Sequence, residues 1–111
     1  MEYIRYTDLS SSEWNQYIDQ IAGITFNYTA ERISFNFEYS RMIMVNQTFL
    51  ALDNRKPVAA AEIYIEKIGE EFQISWNGSY CNAPYIDIKL DYRVQENLAR
   101  KLMAHIDEIA E

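Results

Sequence analysis

An α+β fold, with two to three helices packed on a mostly antiparallel sheet, is what this 111-residue sequence predicts. Three features carry the expectation: a capped amphipathic helix near the start, a middle built of apolar segments separated by turn residues, and a long amphipathic helix at the end. The aromatic fraction of 14% against three glycines and two prolines describes a chain with large side chains to bury and few long loops. Its length gives room for one domain, residues 1–111, with a modest core.

Residues 3–6, YIRY, read as a short first strand. Ser10 followed by Glu13 is a capping-box signature. The helix behind it places Trp14, Tyr17, Ile18 and Ile21 on one face and ends near Gly23, a residue suited to a C-cap. Residues 24–41 carry two signals. Ile33, Phe35, Phe37 and Tyr39 alternate with Ser34, Asn36, Glu38 and Ser40, which is the period of a half-buried strand. Thr29 ahead of Ala30, Glu31 and Arg32 is equally a helix start, with Ile33 and Phe37 one turn apart. Alternation favours the strand, and the choice of helix or strand at 29–41 stays open.

Residues 48–52 form a short apolar strand, residues 53–57 a turn, and residues 58–67 a second, longer strand. Within the longer strand Glu62, Tyr64 and Glu66 share one face, and Ala59, Ala60 and Ala61 let a neighbour pack close. A turn at 68–71 and a strand at 72–76 complete a three-stranded antiparallel meander. A loop at 77–84, a strand at 85–90 and a helix at 92–111 follow, the helix carrying Leu98, Leu102, Ile106 and Ile109 on one stripe. Its last turn holds Asp107, Glu108 and Glu111, which the negative end of the helix dipole disfavours, and no Gly or Asn cap follows. The chain therefore reads as cut within a helix that leads into more protein.

The net charge of −7, with basic residues scattered as Arg55-Lys56 and Arg100-Lys101, argues against nucleic acid as a partner. One cysteine, Cys81, excludes an internal disulfide framework and a Cys-rich zinc site, and no metal is expected. The first residues hold no apolar run and no segment approaches a membrane span, so a cytoplasmic protein is the simplest expectation. Gly23, Gly69 and Gly78 are too few and too dispersed to build a phosphate-cradling loop.

His105 sits at the border of the last helix's apolar stripe, and the local sequence supplies no partner that would make it a general base; a structural role is expected. Cys81 has no base beside it and reads as an inert thiol. Glu62, Glu66, Glu70 and Glu71 form an acidic cluster without calcium-loop spacing and read as a solvated sheet face. The stretch from Trp76 to Tyr80 is the better functional candidate, because polar and aromatic side chains on a loop at a sheet end are what binding pockets are built from. No catalytic residue is assigned.

Several segments follow one another in a family-like order: Ser12-Glu13-Trp14 in the first helix, NQTFL at 46–50, a short charged turn, Val58-Ala59-Ala60, a Trp-Asn-Gly to Pro-Tyr-Ile segment at 76–86, and the helix LARKLMAHIDEIAE. This order resembles the N-terminal half of bacterial FemAB-like proteins, acyl- or aminoacyltransferases built on the GNAT (acetyltransferase) fold. The resemblance implies a GNAT-like half domain that is inactive alone, acting on a cell-surface sugar or peptidoglycan precursor once a C-terminal half supplies the acyl-donor site. It also implies a helix within 29–41, and it gives Trp76, Asn77, Tyr80 and Tyr85 to the acceptor side of a cleft. Residues 93–103 stand where related enzymes hold the coenzyme A pyrophosphate, but Glu96 and Asn97 replace the glycines that binding needs, so no cofactor is expected. The alternative from another class is a non-catalytic binding or homodimerisation module that covers an apolar sheet edge and last helix with a second copy.

Overall fold

A computed structural model describes residues 1–40, 42–76, 81 and 83–110. The first strand, β1, spans Glu2–Arg5, and the first helix, α1, spans Ser11–Ile18. Both halves of the capping box form: the Glu13 amide donates to Ser10 Oγ at 3.1 Å, and the Ser10 amide donates to Glu13 Oε1 at 3.0 Å. Trp14 and Ile18 are buried. The helix ends earlier than expected, before Asp19; Ile21 stays buried in the bend that follows, and Gly23 takes a left-handed conformation with φ 79°. A Cβ on Gly23 would collide with the Tyr85 hydroxyl and the Ile88 side chain, so glycine is required twice over.

The strand favoured by alternation at 29–41 is a helix. After a 3₁₀ turn at Phe26–Tyr28, helix α2 spans Ala30–Tyr39. Its first amides are satisfied: Ala30 donates to Asn15 Oδ1 at 2.8 Å, and Arg32 donates to the N-cap hydroxyl of Thr29 at 3.3 Å. The buried side is Ala30, Ile33 and Asn36, three residues apart, which is a helical stripe. Phe35 and Tyr39, which made the alternation, lie one turn apart outside and stack with centroids 5.8 Å apart.

Among the described residues seven strands form two antiparallel sheets, which confirms the α+β class. Besides β1 they are β2 (Ile43–Asn46), β3 (Phe49–Asp53), β4 (Lys56–Ala61), β5 (Tyr64–Ile68), β6 (Glu71–Ile74) and β7 (Tyr85–Ile86). One sheet runs β1-β3-β4-β7 and the other β2-β5-β6. Asn54 and Arg55, both at positive φ (52° and 66°), make the two-residue link between β3 and β4, the conformation whose twist suits a tight hairpin.

The single long strand and meander expected over 48–76 must therefore be corrected. The chain leaves one sheet at Ala61 and enters the other at Tyr64, with Glu62 and Ile63 as the corner. Thr48 holds that corner: its hydroxyl accepts from the Ile63 amide at 3.1 Å and donates to the Ile63 carbonyl at 3.4 Å, and the Gln47 amide donates to the same carbonyl at 2.8 Å. The corner thus keeps its backbone groups paired while changing sheets. The strand expected at 85–90 is likewise shorter, ending at Ile86. Buried Asp87 stops it by accepting from the Lys89 amide (2.8 Å) and from the Ala22 amide (3.2 Å).

Alternation along β3 and β4 builds a core on each face of the first sheet. Leu50, Leu52 and Ala60 meet Trp14, Ile18, Tyr28 and Ile33 from α1, α2 and the turn before it. Phe49, Ala51, Ala59 and Ala61 meet Leu98, Leu102 and Ile106 of the last helix, α3, which spans Tyr92–Ala110. Ala59 and Ala61 lie in the same core as that helix, while the helix that comes close to the β4 backbone is α1, on the face where Ala60 lies. The fold is three layers, helices on both faces of one sheet, with the second sheet hinged off it at the Thr48 corner.

Candidate functional site

Glu62 and Glu66 do not form a solvated face. Glu62 is 3% exposed and Glu66 fully buried, and the change of sheet at the corner is what turns both inward. A buried carboxylate is costly unless donors surround it, and donors do. Glu62 Oε1 accepts from the Asn36 amide at 2.7 Å and from the Tyr64 hydroxyl at 2.6 Å. Glu66 accepts from the Ser40 hydroxyl at 3.1 Å through Oε2 and from the Ser75 hydroxyl through Oε1. These donors come from α2, from the residue after it, from β5 and from the residue after β6. Burial and the bond to Glu62 push the Tyr64 phenol far up, so it stays protonated and remains a donor.

Trp76 closes one side. Its indole N–H donates to the Asn36 carbonyl at 2.9 Å, and its ring stacks on Tyr39 with centroids 6.1 Å apart. Asn36 is therefore held at both ends, its side chain by Glu62 and its backbone by Trp76. Between these groups lies a cavity of about 160 Å³, lined by Glu62, Tyr64, Asn36, Trp76, Asn27, Arg32 and Cys81. Arg32 sits one turn before Asn36 on α2, exposed, its guanidinium 5.2 Å from the Phe35 ring centroid. The site thus has an acidic wall, a cationic rim, two amides and an indole.

Of the residues expected to bind substrate, Trp76 lines this cavity; Tyr85 lies elsewhere, its hydroxyl donating to the Ala22 carbonyl at 2.9 Å beside the Tyr28 ring. Asn77 and Tyr80 lie outside the described residues. Asn36, Glu62 and Tyr64 were missed as site residues. The sequence signal for Glu62 was its position straight after three alanines, at odds with a uniformly solvated face.

Burial, and to a lesser degree the charges of Glu62 and Glu66, push the Cys81 thiol up, away from the thiolate a nucleophile needs. His105 does have a local acidic neighbour: Glu108 Oε2 stands 3.8 Å from Nδ1. Its ring is stacked on Tyr3 with centroids 3.8 Å apart and meets Phe49 edge-on, far from the cavity residues in the fold, as a packed side chain. Among the described residues no three His, Cys, Asp or Glu side chains are grouped to hold a metal, and no helix is long and apolar enough to cross a membrane. No family model, curated protein or solved structure matches this chain.

Proposed function

We propose that this chain is the acceptor-binding portion of a bacterial FemAB-like acyl- or aminoacyltransferase, acting on a cell-surface sugar or peptidoglycan precursor and catalytically silent by itself. The observation that carries the reading is the cavity at the Thr48 corner, where a fixed carboxylate, amides and an indole converge on one space. Sugars and peptides present hydroxyls, amides and apolar faces together, and that mixture calls for the same mixture in a wall. The segment order of the sequence supports the family.

The test is a titration of the isotope-labelled chain with a muramyl-peptide precursor. The Trp76 indole and Asn36 side-chain amide resonances are expected to shift saturably, while the chain alone transfers no acyl group from coenzyme A. Unmoved resonances at both residues, or acyl transfer by the chain alone at an ordinary enzymatic rate, would overturn the reading.

A second reading, homodimerisation, is favoured by one observation. Strand β6 is a sheet edge among the described residues, and its Phe72, 64% exposed, borders an apolar groove with Ile65, Ile74 and Ile109. Sedimentation equilibrium decides it: a dimer that Phe72→Lys converts to monomer is the expected result, and a monomeric wild type sinks it.

A further inference from the structure

Outside the cavity, the outward face of α2 carries a row of aromatic rings. Phe35 and Tyr39 are 52% and 62% exposed, and Trp76 follows Tyr39 in line. We propose that this row is a ledge for a neutral glycan, whose successive pyranose rings rest on Phe35, Tyr39 and Trp76. The inference rests on the acceptor-site reading for the sugar class alone. Its surface is separate, since Phe35 and Tyr39 are not among the described residues that line the cavity.

The geometry suits flat contact. The planes of Phe35 and Tyr39 are 24° apart and those of Tyr39 and Trp76 26°, with centroids at 5.8 and 6.1 Å. Carbon atoms in contact lie about 3.5–4.0 Å apart, so near-parallel rings at this spacing are not stacked face on face. Each leaves part of a face open. A pyranose ring lays its axial C–H bonds on such a face, where their positive hydrogens meet the negative π cloud. The row is also set before a ligand arrives. One helical turn places Phe35 against Tyr39, and Trp76 is held by its indole bond to the Asn36 carbonyl at 2.9 Å. Arg32, its guanidinium 5.2 Å from the Phe35 centroid, puts N–H donors beside the row for sugar hydroxyls.

Area and charge argue against other partners. A fully covered aromatic side chain buries about 150–250 Å², so this part-exposed row offers far less than the roughly 800 Å² each partner buries in a stable protein interface. The other exposed residues of α2 are Glu31, Arg32 and Glu38, so the patch does not widen along the helix into apolar surface. The net charge of −7 repels single-stranded nucleic acid, whose bases also stack on rings, and acidic glycans alike. A neutral glycan meets neither obstacle.

The experiment titrates the isotope-labelled full chain with N-acetylglucosamine and with chitotetraose, its linear β-linked tetramer, following the ring resonances of Phe35, Tyr39 and Trp76. The tetramer is expected to bind at least about tenfold more tightly than the single sugar, because it spans more than one ring. Phe35→Ala and Tyr39→Ala, both at exposed positions, are each expected to weaken tetramer binding at least about fivefold. Tyr39→Phe, which keeps the ring, is expected to bind like wild type. A tetramer bound no tighter than the single sugar, or bound equally well by both alanine variants, overturns the inference. So does tighter binding of oligothymidylate, or ring shifts that grow with protein concentration alone, which would give the row to nucleic acid or to a second copy. The two readings separate cleanly. Muramyl-peptide shifts at Asn36 with no gain from glycan length keep the acceptor cavity and sink the ledge. Length-dependent glycan binding that Phe35→Ala weakens, with Asn36 unmoved by the precursor, keeps the ledge and sinks the cavity.

Discussion

Single residues in this protein repay attention where a polar group has been taken out of water. Every buried side-chain nitrogen or oxygen among the described residues has a hydrogen-bond partner, so the interior contains polar groups only where the fold supplies their complement. Tyr28 is the most testable of them. Its hydroxyl donates to the Ala83 carbonyl at 3.0 Å, and burial, reinforced by the charge of Glu62, pushes its pKa up to about 12. The unfolded chain gives up that proton near 10.0. The stabilisation is therefore complete below pH 10, drains as the pH rises, and is gone above about 12, a loss of roughly 2 to 3 kcal/mol. Tyr28→Phe is expected to lose about 1 kcal/mol at neutral pH with its hydrogen bond, and then to fall less steeply than wild type through that alkaline window. Urea denaturation at about pH 9 and about pH 11.5 measures both; equal losses in the two proteins would refute the assignment.

The elements were legible where local chemistry decides them and illegible where a distant residue does. Ser10 and Glu13 announce α1 within four residues, and the stripe Leu98, Leu102, Ile106 announces α3, because capping and helical period are local. The break at Glu62 and Ile63 has no such mark. Residues on both sides of it suit strands, and the partner that turns the chain is Thr48, fifteen residues earlier in sequence. The same reason hid the site: of the donors that make Glu62 and Glu66 tolerable inside, Tyr64 is two residues from Glu62, but Asn36, Ser40 and Ser75 are distant in sequence. Helix α2 was obscured differently, by aromatics on its outer face that happened to alternate. Thr48→Val tests the corner directly. The substitution is nearly isosteric at a fully buried position, so it removes the two bonds to Ile63 without opening a cavity. A buried amide left without its acceptor costs about 1 to 3 kcal/mol. That loss in a denaturation curve, with faster hydrogen exchange at the Ile63 amide, is the expected result; unchanged exchange there would show that the corner is held by something else.

At the scale of the whole molecule, the two cores stand or fall through the strands they share. Strand β3 gives Leu50 and Leu52 to the layer with α1 and α2, and Phe49 and Ala51 to the layer with α3. A side chain deleted on one face loosens the same backbone that presents the other face, so neither core has an independent existence. Ile33 and Leu102, each fully buried and each in a different core, make the comparison. Ile33→Ala and Leu102→Ala are each expected to cost about 2 to 5 kcal/mol, which in a domain of this size lowers the melting temperature by roughly 10 °C or more. The sharper expectation concerns shape. Trp14 fluorescence reports the first core and far-ultraviolet dichroism, dominated by the long helix α3, reports the second. In both variants the two signals should melt together in one transition. If Leu102→Ala released α3 while Trp14 remained in its native environment, the sheet would not be transmitting the loss. The three layers would then behave as two foldons joined by a hairpin. Coincident melting would mean that a ligand bound in the cavity stabilises both cores at once, since the cavity is lined from α2, which packs on β3 and β4, and from the corner that leads out of β4.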